Sequence, residues 1–199
     1  KHLPGATLRG CVNDALDMRD TLRDVLGFAE ADITVLTDAQ ATKVGIMSKL
    51  TALVNEAKAG HVDYLVFSLS SHGTQIPDAS GDEPDKSDEA FCPYDLKQKG
   101  NQWDPKYVIT DDEFHDLFVQ LPNNVLLEVY LDTCHSGTGL KDIDSAMLLI
   151  PNAPKPRYLP PPSLEAFNQV RDTQVRNLGS TKKDRPVLTK HHILWSGCR

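Results

Sequence analysis

Two short, nearly continuous apolar runs, Val62–Leu69 (VDYLVFSL) and Val125–Leu131 (VLLEVYL), constrain this chain more than any other feature. Runs of this length with few polar interruptions fit strands buried on both faces. The segments between them carry helical spacing instead. Asn13–Leu26 places Ala15, Leu16, Leu22, Val25 and Leu26 among charges and stops at Gly27. Thr42 can cap a second helix with Val44, Met47, Leu50, Leu53 and Val54 on its apolar side. Thr110-Asp111-Asp112-Glu113 has the form of a capping box and opens a third helix that reaches Leu121. Ile33–Leu36 reads as a short β-type run and His192–Trp195 as a final strand. Strands alternating with helices predict an α/β fold, a mostly parallel sheet flanked by helices on both faces.

With 199 residues and ordinary apolar content, the chain suits one domain with a real core. No apolar run approaches the roughly 20 residues of a membrane span, and Lys1-His2-Leu3-Pro4-Gly5 lacks an apolar signal region. No membrane partner is expected. Cys11, Cys92, Cys134 and Cys198 lie far apart without a CxxC pair. Free thiols in a reducing, cytoplasmic setting fit that pattern better than disulfides or zinc. A net charge of -7 argues against nucleic acid and leaves room for a basic substrate or a cation. Asp78–Asp95 reads as an acidic loop. Pro151 to Pro186 reads as a linker with at most one short helix near Leu164–Val175.

In parallel sheets, chemistry gathers at the carboxyl ends of the strands. The first apolar run ends in Ser70-Ser71-His72-Gly73 and the second in Asp132-Thr133-Cys134-His135-Ser136-Gly137. A cysteine is more often a small buried hydrophobe than a nucleophile, and a strand-end histidine is more often structural. Here the two stand at equivalent ends of strands expected to be neighbours. A thiolate at Cys134 needs an imidazole to take its proton and later protonate a leaving amine, and His72 is placed for that. His135 is the rival base, but neighbouring side chains on a strand point to opposite faces. Backbone N–H groups around Gly73 and Cys134 can serve an oxyanion.

The motifs, taken together, resemble metacaspases. The matching pieces are Leu8-Arg9-Gly10-Cys11-Val12-Asn13-Asp14-Ala15, Ser70-Ser71-His72-Gly73, Gly81-Asp82-Glu83 through Asp88-Glu89, Asp132 to Gly137, and Ser196-Gly197-Cys198. The resemblance implies the caspase–hemoglobinase fold, a Cys134/His72 dyad, and protein substrates cut after arginine or lysine. It implies a pocket for that basic residue made by Cys11, Asp14, Ser70 and Asp132. It also implies calcium at Asp88, Asp111, Asp112 and Asp142, although the acidic run lacks EF-hand spacing. Residues 1–145 then correspond to the large catalytic subunit, 146–190 to an intersubunit linker, and 191–199 to the start of a small subunit, which would be the chain's own partner. A strand that family members carry before the Gly10-Cys11 motif is missing from this sequence, and the chain stops at Arg199.

Plainer readings stand beside these. Asp14, Asp111 and Asp112 suit the first turns of helices, and Asp132 can belong to a hydrogen-bond network at the strand ends. An unpaired carboxylate there would be costly, and an arginine can bind two carboxylates at once. The competing functions are an idle caspase-like scaffold, which the presence of both Cys134 and His72 opposes, and a flavodoxin-like signalling domain. For an autoprocessed zymogen, Lys155, Arg157, Arg171, Arg176, Lys182, Lys183 and Arg185 are candidate self-cleavage positions.

Overall fold

The computed structural model of the chain describes residues 6–78, 87–133, 157–177 and 192–196. In chain order the elements are α1 (Cys11–Asp24), α2 (Lys43–Lys58), β1 (Tyr64–Ser70), β2 (Gly73–Pro77), β3 (Ser87–Phe91), β4 (Gln98–Lys99), β5 (Gln102–Trp103), β6 (Ile109–Thr110), α3 (Asp111–Phe118), β7 (Leu126–Asp132), α4 (Leu164–Asn177) and β8 (His192–Ser196). The two apolar runs pair in parallel as β1 and β7, and β8 joins the other side of β7. Their register sets Tyr64 against Leu126 and Ser70 against Asp132, so the two strand ends coincide.

Side chains alternate between the faces of a strand. Leu65, Phe67 and Leu69 of β1 and Leu127, Val129 and Leu131 of β7 pack with Ile46, Leu50 and Val54 of α2 and Phe114, Leu117 and Phe118 of α3. The Phe114 ring stands 5.1 Å from those of Phe67 and Phe91. Burying each of these large side chains stabilises the fold by roughly 1.5–3 kcal/mol. The other face is mixed, with Val66 and Leu126 beside polar groups. Tyr64 and Tyr130 both donate to Glu128, at 3.0 and 2.7 Å, and Ser70 reaches Asp14 on α1. Helices therefore lie on both faces, α2 and α3 packed on one and α1 against β1 on the other.

The helix starts follow local chemistry. Thr42 accepts the Gly45 N–H at 3.0 Å and caps α2. Both arms of the Thr110/Glu113 box are made, and Glu113 also pairs with Lys43 at 2.7 Å, which ties the starts of α2 and α3. Gly10, at φ 118°, precedes α1 with no side-chain cap. That backbone is strained for any residue with a Cβ.

Two expectations need correcting. Ile33–Leu36 joins no ladder among the described residues. It runs between two short 3-10 turns, and Leu36 leans on the main core. This stretch and β1 line a cavity of about 910 Å³, so β1 is not buried on both faces; Ser68 is exposed. The acidic stretch Asp78–Asp95 is not all loop, because it contains β3, with Ser87, Asp88, Ala90 and Phe91 buried. β3 lies between β2 and β6 in an antiparallel sheet that the sequence did not suggest. Its own core consists of Ile76, Ala90, Cys92, Leu96, Trp103 and Val108. Thr74, fully buried, accepts a hydrogen bond from Trp103 Nε1 at 2.9 Å. Among the described residues no helix is long and apolar enough to cross a membrane.

Candidate active site

The coincident ends of β1 and β7, together with the first turn of α1, assemble most of the expected pocket. Ser70 Oγ donates to Asp14 Oδ2 at 2.7 Å. Asp132 lies across the parallel ladder from Ser70, and Cys11 opens the helix that carries Asp14. Between the two carboxylates sits a basic side chain from the distant Pro-rich stretch, Arg157. Its Nη2 is 2.8 Å from Asp14 Oδ2 and its Nη1 is 2.8 Å from Asp132 Oδ2. Nη1 also donates to the Asp132 carbonyl at 2.9 Å and to Ser70 Oγ. One guanidinium thus spans both acids, which its fork of N–H donors allows and an ammonium does not.

The charges respond to this arrangement. Burial pushes the Asp14 carboxyl up, but the hydrogen bonds from Arg157 and Ser70 and the Arg157 charge outweigh it and hold the group below its usual value. Burial works against the Arg157 charge too, and the bond to Asp14 with the field of Cys11, Asp132 and Asp14 carries its pKa upward.

Gly73 and His72 follow directly. The Gly73 N–H donates to the Arg157 carbonyl at 2.7 Å. The expected oxyanion donor therefore contacts the carbonyl of the residue whose side chain fills the acidic pocket. His72 Nε2 lies 2.7 Å from the Ala6 carbonyl, and the His72 carbonyl accepts the Cys92 N–H at 3.0 Å. Cys134, the expected nucleophile, and the rival base His135 lie outside the described residues. Cys92 is no rival thiol, since burial alone drives its pKa strongly upward and keeps it protonated.

Of the carboxylates expected to hold calcium, Asp88 is buried on β3, Asp111 and Asp112 begin α3, and Asp142 lies outside the described residues. Among the described residues no three His, Cys, Asp or Glu side chains form a metal-binding group. The described acids therefore do not by themselves make a calcium site, and no chemical step runs through one.

Sequence reading missed Arg157 as the occupant of the pocket, because nothing distinguished it from the six other basic residues of the same stretch. It also missed Thr74 and Leu159. Thr74 Oγ1 donates to the Leu159 carbonyl at 2.6 Å, a contact 85 residues apart that no local pattern announces.

Residues 2–143 match the family described as "Metacaspase, peptidase C14 domain". Metacaspase-9 of Arabidopsis thaliana is 40% identical over 140 residues, covering 68% of this chain and 40% of its own length. Metacaspase-7 of the same plant is 42% identical over 149 residues, covering 71% of this chain and 34% of its own. Metacaspase-1A of Aspergillus clavatus is 40% identical over 140 residues, covering 67% of this chain and 30% of its own. The chain thus spans 30–40% of these relatives. The crystal structure of protein GSU0716 from Geobacter sulfurreducens superposes with a TM-score of 0.60 at 26% identity, covering 97% of this chain and 65% of that one.

Proposed function

The chain belongs to the metacaspase family, and from that premise we propose that it is the catalytic part of a cysteine endopeptidase that cuts after arginine, and less well after lysine. The observation that carries the reading is Arg157, with its side chain between Asp14 and Asp132 and its carbonyl on the Gly73 N–H. Cys134 is the nucleophile and His72 the proton carrier. His72 takes the thiol proton, and the thiolate adds to the carbonyl carbon of the basic residue. The Gly73 N–H stabilises the oxyanion as it forms. The tetrahedral adduct collapses, His72 protonates the leaving amine, and water activated by His72 then hydrolyses the thioester.

The Cys11 and Cys92 thiols suit a reducing, cytoplasmic setting. β8, added in parallel to β7, is read as the first strand of a small-subunit region that would complete the substrate groove. Calcium enters the proposal as a regulator only.

A panel of fluorogenic peptides that differ only in the residue before the cut tests the reading. Arginine should be best and lysine slower, because an ammonium cannot bridge both acids. Aspartate should be rejected, since it brings a third negative charge. Cys134→Ala should be inactive. Preferential cleavage after aspartate, or activity surviving in Cys134→Ala, would refute the proposal.

A further inference from the structure

We infer that Ser71 is a positioning residue for His72: its hydroxyl joins the two sheets at the residue before the imidazole and so governs the rate of the chemical step. The inference rests on His72 as the proton carrier proposed above and adds the side chain that sets where it stands.

β1 of the parallel sheet ends at Ser70, and β2 of the antiparallel sheet begins at Gly73. The chain changes sheets across Ser71 and His72 alone. A backbone that leaves one ladder for another has polar groups to satisfy on both sides. Ser71 serves both. Its N–H donates to the Asp132 carbonyl at the end of β7, at 3.4 Å. Its hydroxyl donates to the Cys92 carbonyl, just past the end of β3, at 2.5 Å. Cys92 in turn gives its N–H to the His72 carbonyl at 3.0 Å.

Cys92 is a firm anchor, buried in the core of the antiparallel sheet with Ala90, Trp103 and Val108. The main-chain bonds at Ser71 and His72 survive any ordinary substitution, whereas the bond from the hydroxyl depends on the side chain at 71. Without it the part-buried Cys92 carbonyl loses that donor, and the end of β1 shifts against β3. His72, held at its ring by the Ala6 carbonyl 2.7 Å from Nε2, then stands displaced from the reacting atoms. A base must lie within hydrogen-bond reach of its proton, and a misplacement of about 1 Å can cost on the order of a hundredfold in rate. Ser70 has a different task. Its hydroxyl donates to Asp14 in the acidic pocket at 2.7 Å, and neighbouring side chains on a strand point to opposite faces. Two consecutive serines thus divide the work, Ser70 for binding and Ser71 for placing the base.

The test uses the full-length protein and an arginyl-coumarin peptide, with kcat and KM measured separately and thermal denaturation recorded for each variant. Ser71→Ala should lower kcat on the order of tenfold and leave KM within about twofold. Ser71→Thr, which keeps the hydroxyl, should restore most of kcat. Ser71→Val, with the shape of threonine and no hydroxyl, should not. Ser70→Ala should instead act mainly on KM. Should Ser71→Ala fail to fold, the threonine and valine variants read the same difference. Wild-type kcat in Ser71→Ala, or equal kcat in Ser71→Thr and Ser71→Val, overturns the inference and leaves the proposed dyad standing. A raised KM with unchanged kcat in Ser71→Ala does the same, by placing Ser71 in the pocket. Undiminished hydrolysis by His72→Ala overturns both.

Discussion

Asp14 and Asp132 touch the same guanidinium but are not equivalent. Asp14 receives Ser70 as well as Arg157, and its side chain is the less exposed, 38% against 50%. Asp132 contributes a backbone carbonyl that any substitution keeps. Asp14→Asn should therefore lose more activity on arginyl substrates than Asp132→Asn. A charged hydrogen bond is worth about 1.5–3 kcal/mol, but solvent screening discounts a half-exposed acid. The expected loss for Asp132→Asn is thus about tenfold in kcat/KM, near 1.4 kcal/mol. The pH dependence has a definite sign. Because the Asp14 carboxyl is held below its ordinary value, its contact with arginine is fully present above about pH 4 and is lost as pH falls through the depressed value. Kinetics of both variants decide the order, and equal losses or none would make the acids structural.

Gly45 shows how tightly an apparently ordinary helix is built. On an exposed helix, Gly→Ala gains about 1 kcal/mol, so a sequence reading favours alanine. A Cβ at Gly45 would stand 2.5 Å from the Gln40 carbonyl oxygen, a backbone atom that cannot swing aside, and 3.1 Å from the capping hydroxyl of Thr42. Gly45→Ala should therefore destabilise by roughly 1–3 kcal/mol, seen as a lowered denaturation midpoint; stabilisation would show that the 38–42 turn shifts freely. The elements that were legible share one trait, that their signal is local. β1 and β7 announce themselves by apolar run, α2 by Thr42, and α3 by Thr110 and Glu113. β2 was not legible, since Gly73-Thr74-Gln75-Ile76-Pro77 reads as a turn and becomes a strand only by pairing with β3. Ile33–Leu36 has strand composition, yet strand identity needs a partner edge, and it has none among the described residues. The pocket divides in the same way. Asp14, Ser70 and Asp132 sit in recognisable motifs, whereas Arg157 acquires its role only from the distance at which the fold places it.

The protein is built around two cores, and the candidate site lies where β1 of the parallel sheet is followed by β2 of the antiparallel one. The large one joins the parallel sheet to α2 and α3, and the small one fills the antiparallel sheet. The chain passes from the small sheet to the large core at Thr110, where β6 ends and α3 begins. The acids proposed for calcium sit along that passage. The ladder that pairs Ala90 with Thr110 brings Asp88 of β3 towards the point where Asp111 and Asp112 start α3. Asp88, only 3% exposed, is not solvated surface charge. The described acids form no metal-binding group by themselves, so calcium at this passage is a proposal: in a chain of net charge -7 a divalent cation there would relieve repulsion. Any ligand that binds only the folded state raises its stability. If the proposed calcium site exists, calcium should raise the Tm of Cys134→Ala protein, Asp88→Asn should remove most of that shift, and EGTA should lower the proposed peptide hydrolysis. An unchanged Tm in millimolar calcium together with full activity in EGTA would mean that Asp88 is held by protein donors alone, and that the two cores need no ion to stay together.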